Sequence, residues 1–176
     1  MDATDSVIRQ QRKTIMKKIV FFITLMILFF TGMASAQWQA KFRLTGQQSD
    51  GQNICEVIIG AGPNAEILPE PPSPPQFTCR LFIPDSNWQS FHVKDIKQDS
   101  DTLQWVLAIN PHGNIGPPVP ASAVLSWKSN DFEKGSFEMR EGYDGIGKVI
   151  VSDMNEFSEL KVTGLDENQY FLILKK

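Results

Sequence analysis

Few residues of this 176-residue chain are of types that carry out chemistry. Two histidines, His92 and His112, and two cysteines, Cys55 and Cys79, are all it has of either type. Nucleophilic catalysis by a Ser–His–Asp arrangement needs a positioned imidazole base. His92 stands in the alternating run Phe91-His92-Val93-Lys94-Asp95-Ile96 and reads as a surface residue of a half-exposed strand. His112, in Pro111-His112-Gly113-Asn114, reads as an exposed loop residue that could also reach a ligand. No G-x-S-x-G elbow, H-E-x-x-H pair or phosphate-cradling glycine loop is present. The pairs Asp99/Asp101, Glu141/Asp144 and Asp153/Glu156 could hydrolyse glycosides if held about 5–9 Å apart in a cleft. The same oxygens could bind calcium, although no D-x-D-x-D-G run exists. All three pairs lie in predicted turns, where Asp supports turn geometry without any catalysis. The expectation is a non-catalytic protein with no cofactor and no metal.

The four tryptophans, Trp38, Trp88, Trp105 and Trp127, raise carbohydrate binding as an alternative, because aromatic rings can serve as platforms for pyranose rings. Trp105 and Trp127 lie in the most hydrophobic runs and read as core. Trp88 follows the turn-like Pro84-Asp85-Ser86-Asn87 and is a candidate contact residue, either exposed or folded back over a sheet edge. Trp38 could pack on a terminal strand or stay free. Possible ligand contacts are therefore Trp88, Trp38 and His112.

The segment that must position these residues is preceded by a leader. Lys17 and Lys18 stand before the apolar run Ile19 to Phe30, broken only by Thr24, and Ala34-Ser35-Ala36 supplies a small-residue cleavage site. The apolar run is shorter than the ~20 residues that span a bilayer. Residues 1–36 thus read as an upstream extension plus a cleaved secretory signal, with translation starting at Met1 or Met16. A long n-region or a signal anchor is the alternative. The protein is expected to be secreted or periplasmic, meeting the membrane only through the signal before cleavage.

From Gln37 onward the chain has 140 residues, 12 of them basic and 18 acidic, the size of one domain. The net charge of −6 is dispersed, and the lack of a basic stripe argues against a nucleic-acid partner. In an oxidising compartment Cys55 and Cys79 would pair by default, worth roughly 3 kcal/mol for a loop of this length. Two buried free thiols are the other reading. A two-cysteine metal site lacks partners, since neither histidine has ligand spacing to them.

The remaining sequence reads as strands. Ile54 to Ile59 and Phe77 to Ile83 flank a loop, 60–76, whose prolines remove too many N–H groups for a ladder. Further strands are expected at 38–44, 91–96, 103–109, 123–127, 136–140, 148–151, 159–162 and 170–174. Leu103 to Ile109 has apolar residues on both faces and reads as a central strand covered twice. A second proline- and glycine-rich loop spans 110–120. Nine or ten short strands with frequent turn signals and no 3.6-residue stripe predict an all-β, antiparallel sandwich over 37–176.

Several stretches, in this order, carry a resemblance: Ile58-Ile59-Gly60 with Pro63-Asn64-Ala65, Pro71-Pro72-Ser73-Pro74-Pro75 before Phe77 and Arg80, and Trp105 in its strand. Leu125-Ser126-Trp127, Gly135-Ser136-Phe137, Asp153-Met154 and Phe171-Leu172-Ile173 continue it over most of 37–176. In these the chain resembles an uncharacterised Ig-like β-sandwich module of exported proteins from Bacteroidota, Ignavibacteria and related bacteria. The resemblance implies an exported or surface sandwich, often part of a longer protein, with no agreed activity. Such proteins often end in a sorting domain for the type nine secretion system. This chain departs from that by ending at Lys176, which favours a freely periplasmic or secreted single domain or a truncated gene.

Together these readings predict a binding or structural module whose partner is an unknown protein or glycan. The two proline-rich loops are the expected contact surfaces. Prolines reduce the entropy lost on docking, but equally protect exposed edges from unwanted pairing.

Overall fold

A computed structural model describes residues 37–48, 51–71, 77–83, 91–112, 120–133, 135–164 and 167–176. The chain divides between Ser35 and Ala36, and every described element belongs to the second unit, Ala36–Lys176.

The fold is all-β. Its strands are β1 (Trp38–Gln48), β2 (Gly51–Gly62), β3 (Glu66–Pro69), β4 (Thr78–Phe82), β5 (Phe91–Gln98) and β6 (Leu103–Asn110). The rest are β7 (Ala121–Ser126), β8 (Phe137–Glu141), β9 (Val149–Val151), β10 (Glu159–Gly164) and β11 (Gln169–Lys175). A single 3-10 turn, Ser129–Asp131, is the only helical element among the described residues. The strands form one sheet in the order β10-β7-β1-β2-β5-β4-β6-β11-β8-β9, with β3 paired to β5 beside this path.

The alternating residues of β1 explain its placement. Trp38, Ala40, Phe42 and Leu44 are buried, while Gln39, Lys41 and Arg43 are exposed. β1 pairs with β2 along its whole length, Trp38 opposite Ala61 and Gln48 opposite Gly51. Residues 45–53, which separate the expected strands 38–44 and 54–59, are therefore mostly ladder. Gly60 is required there, because a Cβ would run into the Trp38 carbonyl oxygen.

The sheet must curl. Along the path, β1 and β8 are six strand spacings apart, about 29 Å in a flat sheet. Yet the rings of Trp38 and Phe137 lie 5.2 Å apart, and those of Trp38 and Trp105 5.6 Å apart. The two limbs fold over a shared core of Trp38, Phe42, Trp105, Leu107, Trp127, Phe137 and Met139, which Phe132 and Met154 help to close. The result is a half-barrel in a single mixed sheet, where two antiparallel sheets were expected.

β5 is what makes the sheet continuous. Its first residues pair with β4, Phe91 opposite Phe82 and His92 opposite Leu81. From Lys94 onward it pairs with β2, and this pairing is parallel, Ile58 opposite Lys94 through Gly62 opposite Gln98. A parallel pair needs a long crossover, here residues 63–90. β3 lies within that crossover and pairs antiparallel with β5, with an irregularity between Leu68 and Pro69. Its four residues are all exposed, and a terminal proline at a bulge is what an edge strand tolerates. β3 is an eleventh strand inside the loop that its prolines had marked as irregular.

β6 is buried from Trp105 to Asn110, on both faces, as its unbroken apolar run had indicated. Trp105, Leu107 and Ile109 point into the core. The Trp105 indole N–H donates to the Asp95 carbonyl at 3.0 Å, tying β6 to β5.

Candidate functional site

The residues singled out for chemistry are scattered by the fold. His92 and His112 are both buried, 6% and 3% exposed, which corrects the reading of each as a surface residue. His92 faces Leu81 across the β4–β5 pairing, so it belongs to the covered side of that strand. His112 lies two residues past β6, and its backbone N–H donates to Asn110 Oδ1 at 2.9 Å. Of the paired carboxylates, Glu141 is the last residue of β8, which corrects its reading as a turn residue, and the others lie in turns and loops. Asp144 Oδ1 accepts from the Ile146 N–H at 3.0 Å, and Asp153 Oδ1 accepts from the Asn155 N–H at 2.9 Å. Asp99 and Asp101 are exposed at the start of β6. Among the described residues no group of three or more His, Cys, Asp or Glu could hold a metal ion. Also among them, no helix is long and apolar enough to cross a membrane.

The tryptophans divide in the same way. Trp105 and Trp127 are core, and the Trp127 indole N–H donates to the Met154 carbonyl at 3.0 Å. Trp38 is core as well, 7% exposed, which removes it as a ligand contact in this arrangement. Trp88 lies outside the described residues, as do 72–76 and 113–119 of the two proline-rich loops.

Cys55 and Cys79 are brought together, but as free thiols where a bridge was expected. Cys55 Sγ accepts from the Cys79 N–H at 3.1 Å and lies 3.3 Å from the Cys79 carbonyl oxygen. Burial pushes the Cys79 thiol well above its ordinary pKa, and the neighbouring Cys55 adds to the shift. Cys55 is half-buried, and burial raises it too, partly offset by the hydrogen bond from Cys79.

The convex side of the sheet carries a cluster that sequence reasoning missed. In β4 the inward residues are Cys79 and Leu81, so Arg80 and Phe82 face outward. In β11 Phe171 and Ile173 face the core, so Tyr170 and Leu172 share the opposite face. Phe82 packs against Phe91 at 5.7 Å and against Tyr170 at 5.3 Å between ring centroids. Tyr143, from the loop between β8 and β9, completes the group, 6.4 Å from Phe82 and 5.8 Å from Tyr170. Each such edge-on or tilted pair contributes about 0.5–1.5 kcal/mol beyond its buried area.

The β8–β9 loop is shaped to bring Tyr143 there. The Gly142 N–H donates to the Tyr170 carbonyl at 2.8 Å, and Arg140 Nη1 donates to the Gly145 carbonyl at 3.3 Å. Gly145 has φ 79°, a left-handed conformation natural to glycine, and lies directly over Leu172. The loop thus covers the outer face of β11 while leaving Tyr143 58% and Ile146 86% exposed. At the other end of the cluster Arg80 stacks over Phe91, 5.1 Å from the ring centroid, and forms a 2.8 Å ion pair with Glu70. The guanidinium and carboxylate, 14% and 17% exposed, supply hydrogen-bonding groups beside the rings. The segment that contains Trp88 joins Phe82 to Phe91 in sequence.

A second polar region, around Asp99, Ser100, Asp101, Glu133, Lys175 and Lys176, is a shallow cleft. Both its lysines are engaged: Lys175 Nζ donates to the Ser100 carbonyl at 2.9 Å and pairs with Glu133 and with Asp99, and Lys176 pairs with Glu138. Burial would lower the Lys175 pKa, but the hydrogen bonds and charges of Glu133 and Asp99 outweigh it and raise the value. This cleft is an electrostatic clasp between the β5–β6 turn, the segment after the 3-10 turn, and β11.

Comparison with protein-family models, with curated proteins and with solved structures finds no match to this chain.

Proposed function

We propose that the protein is an exported, non-catalytic module that binds a protein or glycan partner through the aromatic outer face Phe82, Phe91, Tyr143 and Tyr170. The observation that supports this reading most is Tyr143. Its ring is 58% exposed, yet it is positioned by two neighbouring rings and by a loop hydrogen-bonded to β11. A large exposed ring held in this way is suited to contact with another molecule at little entropic cost. Export is the part of the reading that rests on sequence alone, on Lys17-Lys18, Ile19 to Phe30 and Ala34-Ser35-Ala36. The kinship to the Ig-like modules of exported bacterial proteins belongs to the proposal too. The shared motifs from Ile58 to Ile173 and the facing of two limbs over one core favour it.

A glycan is the second, sharper reading. The apolar faces of pyranose rings stack on Tyr and Phe, and Arg80 with Glu70 offers paired donors and acceptors for hydroxyls beside them. Affinity electrophoresis through gels containing individual polysaccharides tests both readings against Tyr143→Ala. Retardation of the wild type that disappears in a folded Tyr143→Ala supports the glycan reading. Binding to a glycan that Tyr143→Ala and Arg80→Ala leave untouched would place the contact elsewhere and refute the proposed face.

A further inference from the structure

The chain's only two cysteines meet where β2 and β4 run side by side without a ladder between them. Both strands are attached to β5, β4 at Phe91 and His92 and β2 only from Lys94 onward. Cys55, three residues before the first β2–β5 pair at Ile58, lies in the gap this fork leaves. Its sulfur bridges the gap, in contact with both the N–H and the carbonyl of Cys79. Buried thiols elsewhere in cores pack against apolar side chains. Here one thiol rests on the main chain of the other cysteine, 24 positions further along the sequence.

We propose that Cys55 and Cys79 form an oxidation site of the folded protein, closing to a disulfide that pins β2 to β4 across the fork in β5. The site is separate from the aromatic outer face and does not depend on it. The two thiols differ in access, which sets the order of events. Cys55 is half-buried and Cys79 is 1% exposed, so an oxidant reaches Cys55. The oxidant is a disulfide, either a small one such as oxidised glutathione or that of a dithiol oxidase. Cys55 loses its proton, its thiolate attacks one oxidant sulfur, and the other leaves as a thiolate. Cys79 then gives up its proton and attacks Cys55 Sγ, forming the Cys55–Cys79 bond and expelling the second oxidant sulfur as a thiolate. Two protein thiols are oxidised by two electrons, the oxidant disulfide is reduced to two thiols, and both protons pass to solvent or to those thiolates. The charges of Glu70 and Arg80 reach Cys55, and they oppose each other in their effect on its thiolate.

The test uses the full chain, reduced and then equilibrated with oxidised glutathione before free thiols are trapped with iodoacetamide. The expected product is a monomer two hydrogens lighter that takes up no label, with Cys55 and Cys79 peptides joined in a non-reducing map. In Cys79→Ser the resolving thiol is gone, so Cys55 should retain one glutathione. In Cys55→Ser the buried Cys79 should remain unmodified while the protein is folded. Two labelled thiols on wild type of unchanged circular dichroism would overturn the proposal. So would a glutathione adduct on wild-type Cys55 that Cys79 fails to displace. If either variant fails to fold, the wild-type mass and peptide map decide alone.

Discussion

Replacing Trp105 by Phe tests whether the half-barrel is held as described, with β6 tied to β5 beneath a ring from the opposite limb. Trp105 is 2% exposed, its indole N–H donates to the Asp95 carbonyl at 3.0 Å, and its ring meets Trp38 edge-on. Phe retains a ring but cannot donate, so one buried hydrogen bond disappears, worth about 1 kcal/mol net. The smaller ring also removes apolar surface equivalent to roughly two to three methylenes, at about 0.8 kcal/mol each. The sum is about 3 kcal/mol, a large part of the ~5–15 kcal/mol that a domain of this size has. Urea unfolding followed by far-ultraviolet circular dichroism reads this as a lower midpoint at unchanged slope. Trp127→Phe is the matched control, because that indole also donates to a carbonyl, Met154, and is 4% exposed. A loss below about 1 kcal/mol for Trp105→Phe, with the slope unchanged, would mean that β6 is not clamped between the limbs and that the core is held in some other way.

Four further outcomes are expected. Gly60→Ala places a Cβ against the Trp38 carbonyl and should cost about 1–3 kcal/mol in the same assay through the strain of displacing β1. Tyr143→Ala removes two edge contacts from a largely exposed ring, so its melting temperature should fall only slightly while binding through the outer face is lost. The raised pKa of Lys175 means that its pairing with Glu133 and Asp99 is fully present below the unfolded value of about 10.4 and disappears as pH rises through the folded value. Alkaline unfolding midpoints of wild type and Lys175→Met should therefore converge above that pH, and parallel curves throughout would contradict the clasp. Oxidised wild type should unfold about 3 kcal/mol later than Cys55→Ser/Cys79→Ser in urea, because the bridge closes a long loop that contains β3.

How far the sequence could be read depended on which signal each element had. The run Trp105 to Ile109 announced its burial, because apolar residues at consecutive positions need cover on both faces. β3 had no such signal: Glu66 to Pro69 is exposed and proline-ended, and what makes it a strand is the neighbouring β5, a tertiary effect that local pattern does not carry. The parallel β2–β5 pair was equally silent, since alternation tells which face a residue takes and nothing about the direction of its neighbour. Trp38 is legible in principle from Trp38, Ala40, Phe42 and Leu44 at period two, but local pattern does not distinguish a strand end that packs from one that frays. The outer aromatic face was half legible. The spacing of Arg80 with Phe82 and of Tyr170 with Leu172 puts each pair on one strand face. Only the fold shows that β4, β5 and β11 turn those faces the same way and that a loop delivers Tyr143 to them.

The position of β11 has a consequence for how the chain is made. Of the eleven strands it is synthesised last, yet it lies inside the sheet, with β6 on one side and β8 on the other. Among the described strands, β8 and β9 therefore have no ladder to the rest of the sheet until β11 is present. Contacts that close the half-barrel, such as that of Trp38 with Phe137, are distant in sequence, and contacts of that kind form slowly. The half-barrel of the described strands is therefore complete only once β11 has taken its place between β6 and β8.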